Sequence, residues 1–195
     1  MSYNEGEKRM RLKQKTGLFF ATILLSSIAQ SQSSSLGTHE HGKAEMTVAI
    51  EGTHVEIQLA SPAANIFGFE HAPADDEQKQ AIIRAEEILS EAAALFEFEG
   101  TTCQVVQQSV DLPFADELTD TDHADQHTDE HDEHDEHVEV TASYIFECDQ
   151  RSPTSLNALI LGDFPAIESL ETQWISDVNQ GAMELTADQP KINFR

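Results

Sequence analysis

Thr102 to Cys148 reads TCQVVQQSVDLPFADELTDTDHADQHTDEHDEHDEHVEVTASYIFEC. Its two ends, Thr102 to Val110 and Val138 to Glu147, alternate in polarity and are rich in β-branched and aromatic residues, the pattern of strands. Between them, Asp116 to His137 spans 22 residues, eleven of them acidic and five of them histidine, with Leu118 the only sizeable apolar side chain. A run of that kind buries too little to offset its ordering entropy, so a disordered insertion between two strands is expected. Laid antiparallel, the strands set residue 105 opposite 146 and 107 opposite 144, which brings Cys103 opposite Cys148. One register thus fits both strands and both thiols. It predicts a disulfide closing a loop of 46 residues, worth about 4 kcal/mol in the chain-entropy picture. A pair of thiol metal ligands is the alternative.

The flanks extend this frame. Ala44 to Glu51 and Val55 to Leu59 alternate around Gly52-Thr53 and predict a hairpin with one polar face. Pro62 opens a short turn or helix near Asn65, Ile66 and Phe67. Ile82, Ala85, Leu89, Ala92 and Phe96 recur at spacings of 3, 4, 3 and 4, which predicts a helix from Asp76 to Phe98, capped by Asp75 and stopped by Gly100. Ser152-Pro153 reads as a second helix start, with Leu156, Leu159 and Ile160 as its apolar face. Leu170 to Val178 and Ala182 to Ala187 predict another hairpin. The fold class is therefore α+β: antiparallel β-hairpins packed against two helices, with a disordered His/Asp/Glu-rich insertion between two strands.

The start of the chain has the layout of an export signal. Lys8, Arg9, Arg11, Lys13 and Lys15 precede an apolar run from Leu18 to Leu25, and Ser27-Ile28-Ala29 supplies a small-x-small ending. Residues 1–29 are expected to be a signal peptide, 30–195 a single metal-binding domain, and 116–137 a loop within it. The destination is an oxidising compartment, a bacterial periplasm, which also favours the disulfide. The 195-residue chain carries 36 acids against 11 bases, a formal charge of −25. This argues against nucleic acid and anionic lipid surfaces as partners. No apolar run is long enough for a membrane span.

Acidity alone does not call for five of the nine histidines to fall in the insertion. Neutral imidazole is a ligand for zinc, nickel and copper, and carboxylates complete the shell. His123, His127, His131, His134 and His137 stand 4, 4, 3 and 3 residues apart. On a helix they would share one face, so a dication would clip neighbours across a turn while neutralising repelling acids. The run reads as a collector holding several ions, and its affinity should fall below about pH 6 as imidazoles protonate. Ligand type alone does not separate zinc from nickel or copper. Outside the run, His39 and His41 flank Glu40, and His71 follows the first hairpin. Together, with Glu40, Glu70 or a tract histidine as fourth ligand, they form a candidate ordered site. His54 reads as an exposed turn residue.

The segments His39-Glu40-His41-Gly42, Ser61 to Pro73 (SPAANIFGFEHAP), the central tract and Ala187 to Phe194 resemble the ZrgA-type periplasmic zinc-binding proteins of Gram-negative bacteria. The resemblance covers nearly all of residues 38–194, and Gly-Phe-Glu-His-Ala-Pro is its most specific part. It implies a periplasmic protein that binds Zn2+ and assists zinc acquisition beside an ABC importer, with an importer binding protein as a partner. It also favours His39, His41 and His71 as ligands. An enzyme is not expected: there is no H-E-x-x-H, no G-x-S-x-G and no glycine-rich phosphate loop. The competing class is an acidic interaction protein docking a basic partner.

Overall fold

The computed structural model describes residues 40–115, 118 and 138–194. The first hairpin is β1 (Lys43–Glu51) and β2 (His54–Pro62), antiparallel from Glu45↔Ala60 to Glu51↔His54. In β1, Ala44, Met46, Val48 and Ile50 point inward while Glu45, Thr47 and Ala49 face out, the period-two pattern written into the sequence. Strand β2 next pairs with β5 (Glu139–Cys148), and β5 with β4 (Cys103–Asp111), both antiparallel. On the other side of β1 lies β7 (Ser169–Ile175), paired in parallel, followed by antiparallel β8 (Gln180–Leu185). The sheet order is β4-β5-β2-β1-β7-β8.

The polypeptide between these strands covers the inner face. Helix α1 (Ala63–Phe67) follows β2 directly, and α2 (Asp76–Leu89) presents Ile82, Ala85 and Leu89, each at most 2% exposed, to the core. Burying each large apolar side chain contributes about 1.5–3 kcal/mol before entropy. The α2 N-terminus is closed by Asp75, whose Oδ1 accepts from the Gln78 N–H at 2.9 Å. Asp76 and Glu77 lie in the first turn, where acids favour the helix dipole. Its C-terminal end is tied to the sheet: the Tyr144 hydroxyl on β5 donates to the Leu89 carbonyl at 2.8 Å. Burial pushes that phenol far above its ordinary pKa, so it stays a donor. A short α3 (Ala92–Leu95) leads into β3 (Phe96–Glu99). Strand β6 (Ser155–Ala158), helix α4 (Ile160–Asp163) and strand β9 (Lys191–Asn193) complete the described elements, with β3-β6-β9 forming a second, antiparallel sheet. Phe96 and Phe98 project from it onto Tyr144 and Phe146, with ring centroids 5.4 and 5.0 Å apart.

The expected α+β frame of antiparallel hairpins is therefore present, and the central insertion falls between β4 and β5. Three details differ. The long helix stops at Leu89, because Phe96-Glu97-Phe98-Glu99 alternates and becomes β3. The apolar spacing that continued the helical stripe also suits a strand. The segment after Pro153 forms β6 rather than a helix: Leu156 and Ala158 share one face, and β3 and β9 satisfy its two edges. The β4–β5 register is as expected at Cys103↔Cys148 and Val105↔Phe146. It then slips by one, with Gln107 opposite Ile145 and Gln108 opposite Tyr144. The extra residue, Val106, is a bulge, 58% exposed. No helix among the described residues is long and apolar enough to cross a membrane.

Candidate metal centre

The two ends of the six-stranded sheet carry different chemistry. One end gathers the start of β1, the end of β2, the end of β4 and the start of β5. Here Val138, the residue after the histidine run, accepts a 2.8 Å hydrogen bond at its carbonyl from the Ala63 N–H at the start of α1. The insertion is thus rooted beside α1. Leu112 belongs to the buried core, and Phe114, Leu118 and Val138 pack against that core partly buried.

The same end holds His41, and one buried side chain is responsible. Asn65 on α1 is 4% exposed. Its Oδ1 accepts from the Gly42 N–H at 2.8 Å, and its Nδ2 donates to the Lys43 carbonyl at 2.8 Å and to Ser61 Oγ at 3.3 Å. The Gly42 carbonyl accepts from the N–H groups of Glu168 and Ser169 at 2.8 and 2.9 Å. Gly42 has φ 88°, and a Cβ there would lie 3.3 Å from the Glu168 side chain, so glycine is the residue that fits both turn and space. Residues 40–43 are closed further by Lys43 N–H to the Glu40 carbonyl at 3.0 Å and by a 2.7 Å ion pair between their side chains. The hydrogen bond and charge of Glu40, with Glu171 and Glu184 adding, hold the Lys43 ammonium above its ordinary pKa.

Past α1, Gly68 with φ 95° turns the chain, and Phe69-Glu70-His71 follows. Phe69 lies tilted against Phe67 and stacked on His71, with ring centroids 4.7 and 5.2 Å apart. His71 Nδ1 lies 2.9 Å from the Ala72 carbonyl and donates to it, since a carbonyl oxygen only accepts. Glu70 reaches instead toward His41: its Oε1 is 3.4 Å from His41 Nε2. That oxygen is buried and has no hydrogen-bond partner. His41 is 68% exposed and Glu70 22%.

The opposite end of the sheet holds the β1–β2 turn, the disulfide between Cys103 and Cys148, and His54. His54 Nδ1 is 2.9 Å from Glu147 Oε1, an exposed pair. His54, which the sequence reads as an exposed turn residue, thus lies at the other end of the sheet from His41, one of the sequence-predicted ligands.

Of those ligands, the structure brings His41 to Glu70 and leaves His71 on its aromatic stack. Among the described residues no group of three or more histidines, cysteines or carboxylates is placed to hold a metal ion. His39, His123, His127, His131, His134 and His137 lie outside the described residues. Asn65 was not singled out by its sequence. The available signal was a polar residue amid the apolar Ala63-Ala64-Asn65-Ile66-Phe67 run after a proline. A family model described as ZrgA family zinc uptake protein matches residues 38–194, most of the chain. No curated protein matches it.

Proposed function

The chain belongs to the ZrgA family of zinc uptake proteins, and from that premise we propose that it captures Zn2+ in the periplasm and assists its delivery to an ABC importer. In this reading residues 1–29 direct export and are removed. Five of the 11 bases and two of the 36 acids precede residue 30, so the exported form carries a net charge of −28. The 116–137 tract is the collector. Its five histidines supply neutral nitrogen ligands and its eleven acids draw dications toward them. His39, His41 and His71 contribute a second location where ions pause on the way to a tighter acceptor.

The observation that carries the proposal is the position of the tract. A histidine-rich run sits between two paired strands of a zinc uptake family member, rooted by Val138 against α1, at the sheet end that holds His41. A run with one sizeable apolar side chain pays ordering entropy when it binds an ion, which keeps each site moderate in affinity. That suits collection and hand-over rather than storage.

The test is zinc uptake in cells. Replacing His123, His127, His131, His134 and His137 together by glutamine keeps chain length and acidity. Zinc accumulation and growth in zinc-poor medium should fall, with both restored by added zinc. Unchanged uptake and growth would refute the tract's role. Loss of growth that only nickel or copper restores would assign the cargo to another metal.

A further inference from the structure

We propose that the open edge of β8 takes an extended segment of a partner protein as a seventh strand of the large sheet, with lysine or arginine on the side that meets Glu184. This goes beyond zinc capture and does not depend on it.

The two outer strands of the sheet differ as edges. An edge strand offers unpaired backbone groups, and proteins blunt it with bulges, prolines or lysines. β4 carries the bulge at Val106 and is bonded to β5 through Cys103. β8 pairs with β7 without a register shift from Leu170↔Leu185 to Ile175↔Gln180, and its residues, QGAMEL, include no proline and no base. The Ser176 N–H bonds to the Asn179 carbonyl at 2.7 Å. Antiparallel alternation from that bond points the backbone of Gly181 and Met183 at β7 and that of Ala182 and Glu184 at the open edge. The preceding group in the outward series, the Gln180 N–H, is already taken by Asn179 Oδ1 at 2.8 Å.

Trp174 marks this edge as incomplete. Its ring lies across Gly181, its register partner on β8, where a Cβ would collide with Cζ2, Cη2 and Cε2. The indole Nε1–H is buried without an acceptor, whereas a buried donor ordinarily has one. An added strand brings carbonyls to this edge, and a turn of the ring toward them would satisfy the donor. Ile175 and Val178, 55% and 81% exposed, sit on the same hairpin. The turn that presents them is fixed, since Asp177 Oδ2 accepts from the Gly52 N–H at 2.9 Å. They give a partner apolar contact beside the backbone pairing.

Charge selects the partner. The register sets Glu45, Glu171 and Glu184 side by side on β1, β7 and β8. Like charges directly opposite each other destabilise a sheet. Lys43, the only base of these three strands, is paired with Glu40 at 2.7 Å. A base on the incoming strand would extend this row with an opposite charge. A second copy of the chain would bring 36 acids against 11 bases to the same edge, so like charge disfavours it.

The experiment titrates the chain from residue 30 onward with two synthetic heptapeptides, one alternating lysine with valine and one alternating glutamate with valine. Trp174 is the chain's one tryptophan, so its emission reports this edge. The lysine peptide should shift that emission saturably and slow amide exchange at Ala182 and Glu184, and the glutamate peptide should do neither. Ala182→Pro removes an N–H that faces away from β7, so the sheet stays and binding should be lost. Glu184→Gln should weaken binding by up to about fivefold. No emission change with the lysine peptide, or equal binding of both peptides, would overturn the proposal. So would undiminished binding to the Ala182→Pro protein, or amide protection confined to residues 116–137, which would place the peptide on the acidic tract. A dimer of the free chain with Ala182 and Glu184 already protected would also overturn it and give the edge to a second copy.

Discussion

Asn65 does the most positional work of any described polar side chain at the candidate metal centre. It satisfies one backbone donor and one backbone acceptor on the chain entering β1, and a hydroxyl at the end of β2. Replacing it with alanine leaves the Gly42 N–H without its acceptor in a buried site. Asn65→Ala should destabilise the protein by about 1–3 kcal/mol, read as a lower urea midpoint with an unchanged slope. A loss under about 0.5 kcal/mol would mean that water replaces the side chain. This interaction is long-range, and nothing in local patterning encodes it: an asparagine in an apolar run reads as a turn residue. By contrast, a histidine-rich run shows in the sequence by residue type and spacing alone. Which carboxylate meets His41 was not, since it depends on where Gly68 turns the chain.

The β4–β5 hairpin is the element on which the protein's layout depends. Alternation and the two cysteines fixed its pairing from sequence, since a register of period two admits few ways to bring two thiols together. The bulge at Val106 escaped, because an extra residue on an edge strand leaves alternation intact on either side. The helix ending was illegible for a related reason: Phe96 and Phe98 satisfy both a helical and a strand template, and the contacts with Tyr144 and Phe146 decide between them. The bond between Cys103 and Cys148 closes the loop that contains the whole insertion. The paired variant Cys103→Ala/Cys148→Ala should therefore lose about 4 kcal/mol in the chain-entropy picture. Guanidinium unfolding measures it, with the wild type under reducing conditions as the matching control. Equal stability of the oxidised wild type and the variant would show that the loop is already constrained in the unfolded chain.

Taken as one molecule, the protein is an acidic chain with five of its nine histidines in one inserted run. The excess of acids works against compactness through self-repulsion and attracts dications through the same field. Bound zinc relieves the one and uses the other. The fold class was legible because hairpins and an amphipathic helix are local patterns. The parallel β1–β7 pairing and the second sheet were not, because they join segments far apart in sequence. Metal capture by the 116–137 tract is tested most directly by equilibrium titration of the chain from residue 30 onward with Zn2+, comparing the unaltered chain with the one whose five tract histidines are glutamine. The account predicts several zinc ions per chain in the first and a single ion in the second. The same number of ions in both, or none in the unaltered chain, would contradict it.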